Sequence, residues 1–509
     1  MPVRIRTETT MKERIFMKTL NLLGFDFGAS SGRAMLGVFD GERIDIQEIH
    51  RFSNDPVMLC GRFVWDVPRL VFEMKQALLK LGRQGVKVDA IGIDTWGVDY
   101  GMLDKNGRLL GLPVHYRDDR TIGMREKVRE IIPDAELFAR TGLAYNQFNT
   151  LYQLYAMKQE GDPTLDTACD MLFMPDLLAY LLTGAKGTEY TIASTSEMIN
   201  PYTRDWDREL LEKLGLPTNF LGEVKFPGTV RGTLLGDIAK ECCVDEIPVI
   251  AVGGHDTASA VLAVPAKEKD FAFLSSGTWS LLGAELPNPL CEEGVMNANY
   301  TNEGCVDGSI RLLKNIMGLW ILQECKREWD RRSDAVGFAE LVEMAMRAPA
   351  FKAIIDVDDE RFLAPGDMPA RIQAYCEKTG QPVPKGRGEI SRVIYESLAL
   401  KYRWAIERLE ADMLKKPIKV LHIVGGGSKN ELLNRFTAEA IKRPVVAGPG
   451  EGTVIGNLLM QAKALGAIED IPALRRVVEA SFPTKTFLPE TDGKAWDEAY
   501  ARYLELFVK

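Results

Sequence analysis

The chain has few of the residues that bind metals or form disulfide bonds. Its 509 residues include four histidines and eight cysteines, and no two cysteines form a C-x-x-C pair. These absences argue against a His-rich metal centre, a structural zinc site and a dense disulfide framework. We therefore expect reduced thiols and a cytoplasmic location.

Long apolar runs and an excess of positive charge are also missing. No stretch of about 18 apolar residues occurs, so no membrane span is expected. The net charge of −9 and the pI of about 5.4 argue against general nucleic-acid binding, although a local basic cleft for phosphates is compatible with them. The sequence leaves the choice between a monomer and a dimer open.

The length and composition predict a globular chain with more than one core. Hydrophobic residues make up 46% of the sequence, which is enough for two large domains. A polar segment, VPAKEKD, separates two apolar stretches near the middle and predicts the domain boundary. We expect a loose tail over residues 1–18, domains over 19–262 and 263–488, and a C-terminal helix within 489–509.

The first 100 residues predict strands more often than helices. NLLGFDFG, RAMLGVFD and IDIQEIHRF each indicate a strand, and the D-G pair between the last two favours a hairpin. DVPRLVFEMKQALLKLG has helical spacing, and VDAIGIDTW again indicates a buried strand. The predicted order is β-β-β-α-β, which differs from the β-α-β order of a simple Rossmann unit.

The second half repeats features of the first. An S-S-G triplet begins at Ser30 and again at Ser275, each time after an apolar run, which indicates two related halves. GEISRVIYESLALKYRWAIERLEADML predicts a long helix. IKVLHIVGGG predicts a strand that ends in three glycines, and Ser428 and Glu431 then form the S-x-x-E pattern of a helix-capping box. A glycine turn before a helix can bind an anion or a ribose.

Two motifs resemble known catalytic loops and are rejected. Gly28, Ser30 and Gly32 fit the G-x-S-x-G nucleophile elbow, but the elbow requires a following helix and RAMLGVFD predicts a strand. GPGEGTVIG fails the G-x-G-x-x-G pattern because Gly456 comes one position late. No G-x-x-x-x-G-K-[ST] loop occurs, so the chain has no P-loop.

Two short segments contain the aspartates that are candidates for a functional role. In DFGASSGR, Asp26 ends a buried strand, and the turn after it can offer donors to phosphate oxygens while Asp26 holds Mg²⁺ through water. The alternative is an ordinary hairpin that Asp26 caps. In GGHDTASA, Asp256 has four possible roles: metal ligand, member of a hydrolase triad, catalytic base, or cap of a helix.

DFGASSGR, SSGTW and the GGG turn before a helix together resemble the FGGY family of sugar kinases, over roughly residues 20–488. The resemblance implies an α/β fold of two actin-like, ribonuclease-H-like domains with a catalytic cleft between them. It implies a sugar site mainly in the first domain and a nucleotide site mainly in the second. ATP would be the co-substrate, Mg²⁺ the metal, and a small sugar the other substrate.

The resemblance also assigns individual residues. It implies that Asp256 is the catalytic base, and the helix after it is expected to favour its ionised form. It implies nucleotide contacts at Ala29, Ser30, Ser31, Gly32, Arg33, Thr278, Gln323 and Gly426. It implies sugar contacts at Gly97, His255, Asp256, Thr257 and Asn315. The spacing of Asn315 and Gln323 fits one face of a single helix.

Five further segments resemble a subset of the family that acts on one kind of sugar. They are HRFSN, WDVPRL, GIDTWGVDYGMLD, PVHYRDDRT and LKNIMGLWILQE. They resemble members that phosphorylate L-rhamnulose at its 1-hydroxyl. Thr95 and Trp96 stand where many relatives have a Gln-His pair, which argues against xylulose or glycerol. The alternatives are another ketose such as L-fuculose, and an actin-like or chaperone-like ATPase without a sugar substrate.

Overall fold

The computed structural model describes residues 19–268, 270–332 and 335–508. The predicted tail, residues 1–18, lies outside this part of the chain. Two mixed β-sheets with helices packed against them form the framework of the described residues, one sheet in each half. This arrangement confirms the predicted α/β class.

The first half contains the following elements. Its strands are β1 (Leu20–Phe27), β2 (Ser31–Phe39), β3 (Ile44–Ser53), β4 (Val57–Leu59), β5 (Arg62–Val64), β6 (Ala90–Thr95), β7 (Tyr100–Leu103), β8 (Asp170–Phe173), β9 (Thr188–Glu189), β10 (Ile199–Asn200), β11 (Asp205–Trp206), β12 (Val224–Lys225), β13 (Val230–Thr233) and β14 (Pro248–Ile250). Its helices are α1 (Val67–Arg83), α2 (Met124–Arg129), α3 (Asp134–Thr141), α4 (Thr150–Glu160), α5 (Thr164–Thr167), α6 (Met174–Thr183), α7 (Tyr190–Ala193), α8 (Arg208–Lys213), α9 (Gly236–Cys242) and α10 (Asp256–Leu262).

The second half contains fewer strands and longer helices. Its strands are β15 (Phe271–Ser276), β16 (Trp279–Leu286), β17 (Thr301–Gly304), β18 (Ile310–Met317), β19 (Val420–Val424), β20 (Val445–Ala447) and β21 (Lys485–Phe487). Its helices are α11 (Glu293–Asn297), α12 (Trp320–Arg331), α13 (Phe338–Arg347), α14 (Met368–Lys378), α15 (Gly386–Arg408), α16 (Glu431–Ile441), α17 (Gly452–Ala464), α18 (Ile471–Ser481) and α19 (Lys494–Phe507).

The first sheet has the strand order β13-β14-β6-β1-β2-β3. β1, β2 and β3 form an antiparallel meander, whereas β14, β6 and β1 run parallel. The predicted β-β-β-α-β order is confirmed except for the β4–β5 hairpin, which lies between β3 and α1. Val57, Met58 and Leu59 of that hairpin are exposed, so the sequence lacks the alternation that indicates a strand.

The second sheet repeats this plan in the order β17-β18-β16-β15-β19-β20-β21. β15 and β16 form the hairpin that corresponds to β1 and β2, and β19 and β20 run parallel to β15. Two related halves are therefore confirmed. The S-S-G triplets themselves do not correspond, because Ser275 and Ser276 end β15 whereas Ser31 and Gly32 begin β2. The matching features are the hairpin turns after β1 and after β15.

The predicted capping box at Ser428 and Glu431 is wrong. The glycine turn continues as a short 3-10 helix through Lys429, so α16 begins later and Asn430 is its N-cap. The Asn430 side chain accepts a hydrogen bond from the Leu433 N–H at 3.0 Å, while the Ser428 hydroxyl bonds the Gly425 carbonyl. The predicted long helix is confirmed as α15, which continues into a π-helical turn over Leu409–Leu414.

Each half contributes a helix to the core of the other. α17 follows β20 of the second sheet, yet its Val454 and Leu458 pack with Leu22 of β1 in one core. α10 follows the first sheet, and its Ala260 packs with Phe273 of the second. The domain division near residue 262 stays a prediction. Among the described residues, no helix combines the length and apolarity that crossing a membrane requires.

The contact between α10 and α17 depends on Gly456. A Cβ at this position would lie 1.9 Å from the Ser259 backbone oxygen, which cannot move away as a side chain could. We predict that Gly456→Ala lowers the free energy of unfolding by about 1–3 kcal/mol, the usual cost of overpacking. Chemical denaturation monitored by circular dichroism measures the change.

The matched control is Gly294→Ala. Gly294 also lies in a helix, α11, but no atom lies within 4 Å of a Cβ built there. This variant should be neutral or stabilising, because alanine restricts the unfolded chain. Equal stability changes in the two variants would contradict the importance of close packing at Gly456.

Candidate active site

Three chain segments meet at the carboxyl edge of the first sheet. β1 and β6 run parallel, with Asp26 paired to Asp94 and Phe27 to Thr95. The Thr95 N–H donates to the Gly254 carbonyl at 2.9 Å, and the Trp96 N–H donates to the Phe27 carbonyl at 3.1 Å. The DFGASSGR, TWGVD and GGHDTASA segments are therefore fixed side by side by backbone hydrogen bonds.

Asp256 lies at the first turn of α10, directly beside this edge. Its Oδ1 accepts a hydrogen bond from the Thr257 hydroxyl at 3.1 Å and lies 3.4 Å from His255 Nε2. No hydrogen bond to its Oδ2 is formed within the described residues, and 34% of the side chain is exposed. Asp256 thus presents a partly exposed carboxylate oxygen near Asp26.

The geometry bears on the four roles considered for Asp256. The N-cap of α10 is His255, and Asp256 follows it as the first helical residue, so a plain cap is excluded. β2 follows the Gly28–Gly32 turn, so the nucleophile elbow of a hydrolase is absent. No cluster of three or more His, Cys, Asp or Glu residues with metal-binding geometry occurs in the part of the chain that the structure describes. The position of Asp256 is compatible with a catalytic base, and that role stays a prediction.

Burial and neighbouring carboxylates raise the pKa of two aspartates here. Burial raises the pKa of Asp256 above its ordinary 3.8, with the nearby His255 opposing and Asp26 adding to the increase. The expectation that the helix end would favour the ionised form is thus opposed by burial. Burial also raises the pKa of Asp94 well above 3.8, and the charge of Asp26 adds to it. Asp94 is fully buried, with Oδ2 bonded to Asn457 at 2.6 Å.

The turn after β1 is held by HRFSN, one of the segments singled out in the sequence. The Asn54 side-chain amide donates to the Gly28 carbonyl at 2.8 Å, and its N–H donates to the Ser30 carbonyl. A Cβ at Gly32 would lie 2.2 Å from the Phe52 ring, which explains the glycine. The predicted phosphate turn, Ala29 to Arg33, therefore has a fixed backbone at the mouth of the cleft.

Arg33 connects this turn to the second half. Its guanidinium donates to Asp26 Oδ2 and to Glu451 Oε2, each at 2.5 Å. Glu451 also accepts from Lys429 Nζ at 3.1 Å, beside the glycine turn that follows β19. Asp26 is therefore paired with Arg33 and is not a simple turn cap. The predicted phosphate and adenosine positions lie on the same side of the cleft.

The predicted nucleotide residues of the second half lie in two adjacent turns, at Thr278 and Gly426, and on α12, at Gln323. The Thr278 hydroxyl donates to Gln323 Oε1 at 3.3 Å, which brings these two residues together as expected. A Cβ at Gly427 would lie 2.0 Å from Ser276 Oγ, so the glycine turn packs directly on the turn after β15. Gly426 is exposed, and a Cβ there would contact nothing within 4 Å.

The prediction that Asn315 and Gln323 share one helix face is wrong. Asn315 lies on β18, Gln323 lies on α12, and the chain turns between them at Gly318. Asn315 lies four residues after Arg311 on β18, so both side chains leave the same face of the sheet. Arg311 contacts His255, which is consistent with Asn315 facing the cleft. A spacing of eight positions is compatible with a strand followed by a helix as well as with a single helix.

A buried polar network anchors the GGHD segment from behind. Glu189 Oε2 accepts hydrogen bonds from the Gly254 N–H at 3.0 Å and from the Thr191 hydroxyl at 2.6 Å. The Thr191 hydroxyl in turn accepts from the His255 N–H. Glu189 is fully buried, and burial raises its pKa. The sequence analysis did not predict that Glu189 and Thr191 support the GGHD segment.

The tryptophans near the edge are mainly core residues. Trp65 is fully buried and its ring centroid lies 4.0 Å from that of Trp96. Both indole N–H groups donate to Asp99 Oδ2, at 2.7 and 3.0 Å. Burial raises the pKa of Asp99 to about 6. At Gly97, a Cβ would lie 3.2 Å from the Thr195 hydroxyl, so the missing side chain is explained by packing on Thr195.

Several residues of the site were missed by sequence reasoning. Asp94 could have been found, because GIDTW repeats the strand-then-aspartate pattern of GFDFG. Glu451 lies in GPGEG, a segment that was considered only as a dinucleotide loop. Glu303 and Arg311, which contact His255, have no local sequence pattern that marks them. They reach the site only because β17 and β18 fold against it.

Comparison with families of known proteins adds independent information. The N-terminal domain of the FGGY family of carbohydrate kinases matches residues 21–263, and its C-terminal domain matches residues 272–465. A rhamnulokinase of Bacteroides thetaiotaomicron is 45% identical over 95% of this chain and 98% of its own length. A rhamnulokinase of Halalkalibacterium halodurans is 42% identical over 92% of this chain and 98% of its own length.

Solved structures with low sequence identity share the fold. A gluconate kinase from Lactobacillus acidophilus superposes with a TM-score of 0.78 at 16% identity, covering 96% of this chain and 97% of that one. A Plasmodium falciparum glycerol kinase with ADP gives 0.76 at 16% identity, covering 96% and 99%. The two domain matches cover most of the sequence, and the chain therefore belongs to the FGGY family of carbohydrate kinases.

Proposed function

We propose that the chain transfers the γ-phosphoryl group of ATP to the 1-hydroxyl of L-rhamnulose. The products are L-rhamnulose 1-phosphate and ADP, and the step belongs to L-rhamnose catabolism in the cytoplasm. The observation that carries the proposal is the partly exposed carboxylate of Asp256, which backbone hydrogen bonds hold beside the segment that contains the Gly28–Arg33 turn. Relatives that are 40–45% identical over most of this chain are named rhamnulokinases.

Asp256 has the geometry of a general base. Its Oδ2 takes the proton of the sugar hydroxyl as that oxygen attacks the γ-phosphorus, and the bond to the β,γ-bridging oxygen breaks to release ADP. A loose phosphoryl-transfer transition state depends on positioning more than on basicity. Thr257 supplies that positioning by its hydrogen bond to Oδ1. Arg33 and the turn Ala29–Gly32 would bind the phosphates.

Mg²⁺ fits the carboxylates beside the phosphate turn. This ion retains several waters and binds through one or two carboxylates together with substrate phosphates, so it needs no cluster of protein ligands. Asp26 lies at the turn and would face the ion through water, while the buried Oδ1 of Asp94 next to it has no hydrogen-bond partner among the described residues. Bound there, Mg²⁺ would neutralise charge that develops on the phosphates.

Trp96 supports a ketose with an apolar end. It follows Thr95, which pairs with His255, and Asp99 fixes its ring through the indole N–H. L-rhamnulose is a 6-deoxyketose, and its methyl group suits an apolar neighbour better than it suits the Gln-His pair of other relatives. His255, Thr257 and Asn315 would supply hydrogen bonds to the sugar hydroxyls. Another ketose, such as L-fuculose, is the second candidate.

The central prediction concerns sugar-dependent ADP release. We expect release from Mg·ATP to increase with L-rhamnulose in the wild type, and kcat to fall by about 10²–10⁴-fold in Asp256→Asn because the base is lost. A coupled ADP assay with a panel of ketoses measures both. Asp256→Asn should fold normally, since burial already disfavours the charged carboxylate.

Asp307→Asn is the matched control, because Asp307 caps an exposed turn through Ser309 and should leave kcat unchanged. If the rate of ADP release were the same with and without every sugar tested, the kinase proposal would be overturned in favour of an ATPase. Release with L-fuculose but not with L-rhamnulose would transfer the assignment to the second candidate.

The pH dependence follows from the environment of Asp256. The base must be ionised, so kcat/KM should fall as the pH drops through the pKa of Asp256. Because burial raises that pKa, the fall should lie at higher pH than for an exposed aspartate with a pKa of 3.8. A kcat/KM profile from pH 4 to 8 tests this, and a profile that stays flat to the ordinary aspartate range would contradict it.

The nucleotide position can be tested at Gly426. Gly426→Val should raise KM for ATP by about tenfold or more, corresponding to about 1.4 kcal/mol, because the side chain would enter the space assigned to adenosine. Stability should not change, since a Cβ there contacts nothing within 4 Å.

Gly337→Val is the control, because it is equally open and precedes α13. Steady-state kinetics with ATP varied, together with thermal melts, separate the two effects. An unchanged KM for ATP in Gly426→Val would remove Gly426 from the nucleotide site.

A further inference from the structure

Glu303 and Arg311 form a buried ion pair that touches the catalytic segment. They are directly opposite each other on β17 and β18. The Arg311 Nη2 donates to Glu303 Oε2 at 2.7 Å, and its side chain is completely buried.

His255 Nδ1 faces both members of this pair. It lies 2.9 Å from Arg311 Nη2 and 3.2 Å from Glu303 Oε2. A proton on Nδ1 could be donated to Glu303, but it would also meet the Nη2–H of Arg311 at the shorter distance. Arginine cannot give up its proton, so two donors would then face each other in a dry site. The contact is favourable only if Nδ1 accepts.

We infer that Arg311 is a positioning residue that holds the proton of His255 on Nε2. The inference rests on the proposed function and deepens it. With Nδ1 occupied by the Arg311 donor, His255 is a neutral imidazole whose Nε2–H points toward Asp256 Oδ1, 3.4 Å away. On this side His255 can only donate, either to Asp256 or to a sugar oxygen.

This arrangement distinguishes between two adjacent candidates for the base, His255 and Asp256. A histidine next to an attacking hydroxyl could itself be the base, but an Nε2 that carries a proton cannot accept another. The proton of the sugar hydroxyl therefore goes to Asp256. Two other polar residues lie near His255 but do not compete for its ring nitrogens. Thr191 accepts the backbone N–H of His255, and Glu189 accepts the N–H of Gly254, so neither contacts the imidazole.

The residue that donates to His255 Nδ1 comes from the other half of the chain. His255 belongs to the segment that ends the first sheet, whereas Glu303 and Arg311 belong to the second sheet. The backbone of this contact is fixed as well, since the Gly304 N–H donates to the Ser194 hydroxyl at 2.8 Å. The second half thus sets the protonation pattern of a residue that the resemblance assigns to the sugar site of the first.

The test is Arg311→Lys, which keeps the positive charge for Glu303 but removes the planar pair of Nη donors. We expect kcat to fall about 10–100-fold, as for other residues that orient a site residue through a hydrogen bond, with KM for ATP unchanged. Without the Arg311 donor, Nδ1 can carry the proton in place of Nε2, so the tautomer of His255 should change.

Nitrogen NMR of histidine-labelled protein reads the tautomer directly. Four histidines contribute signals, and His255→Gln identifies the relevant one. In the wild type, Nδ1 should be unprotonated and Nε2 protonated. In Arg311→Lys, the Nδ1 signal should move toward the protonated value.

Arg392→Lys is the control, because Arg392 also pairs with a buried carboxylate, Glu396, but does not contact His255. It should leave the tautomer unchanged. An Nδ1–H signal in the wild type would overturn the inference, even if Arg311→Lys failed to fold. So would an Arg311→Lys variant with the wild-type tautomer. A lack of sugar-dependent turnover would reject the proposed function alone, because the NMR measurement does not require activity.

Discussion

The parallel pairing of β1, β6 and the Gly254 segment is the constraint on which the site depends. Two backbone hydrogen bonds, from Thr95 to Gly254 and from Trp96 to Phe27, fix the three segments in one register. Side chains alternate along a strand, so a slip of one residue would turn Asp26 and Asp94 to the opposite face. The positions of the proposed base Asp256, the turn Ala29–Arg33 and Trp96 all follow from this register.

This register brings carboxylates together, which is electrostatically unfavourable. Asp26 and Asp94 occupy paired positions on adjacent strands, and Asp256 also adds to the pKa of Asp94. The fold compensates in different ways. Arg33 pairs with Asp26, Asn457 donates to Asp94, and Thr257 donates to Asp256. Asp94, which has no cationic partner, has a strongly raised pKa and is therefore neutral over a wider range of pH.

Much of the fold could be predicted from the sequence, because its signals are local. β1, β2, α1, β6 and α15 were placed correctly, since apolar periodicity and turn residues lie within each segment. The short β4–β5 hairpin was missed because its residues are exposed. The cap of α16 was misplaced because a 3-10 turn delayed the helix, and a spacing of eight could not distinguish one helix from a strand followed by a helix.

The candidate site was only partly accessible from the sequence. Asp256 and the Gly28–Arg33 turn lie in short motifs, so a resemblance to a family could identify them. Arg311 and Glu303 reach His255 through the pairing of two strands far along the chain. Glu451 reaches Arg33 through the packing of α17 on the first sheet. Contacts of this kind depend on tertiary structure, and no local spacing encodes them.

The two halves are joined by polar contacts of unequal strength on either side of Asp256. Arg33 and Glu451 are partly exposed, at 19% and 29% of their side chains, so solvent screens their attraction. Arg311 is completely buried and stays paired with Glu303 of its own half, so separating it from His255 would leave a buried donor without its acceptor, at a cost of about 1–3 kcal/mol. Any movement between the halves is therefore easier at the phosphate turn than at His255. Such a difference would keep the proposed base, Asp256, oriented while the proposed phosphate turn adjusts to a ligand.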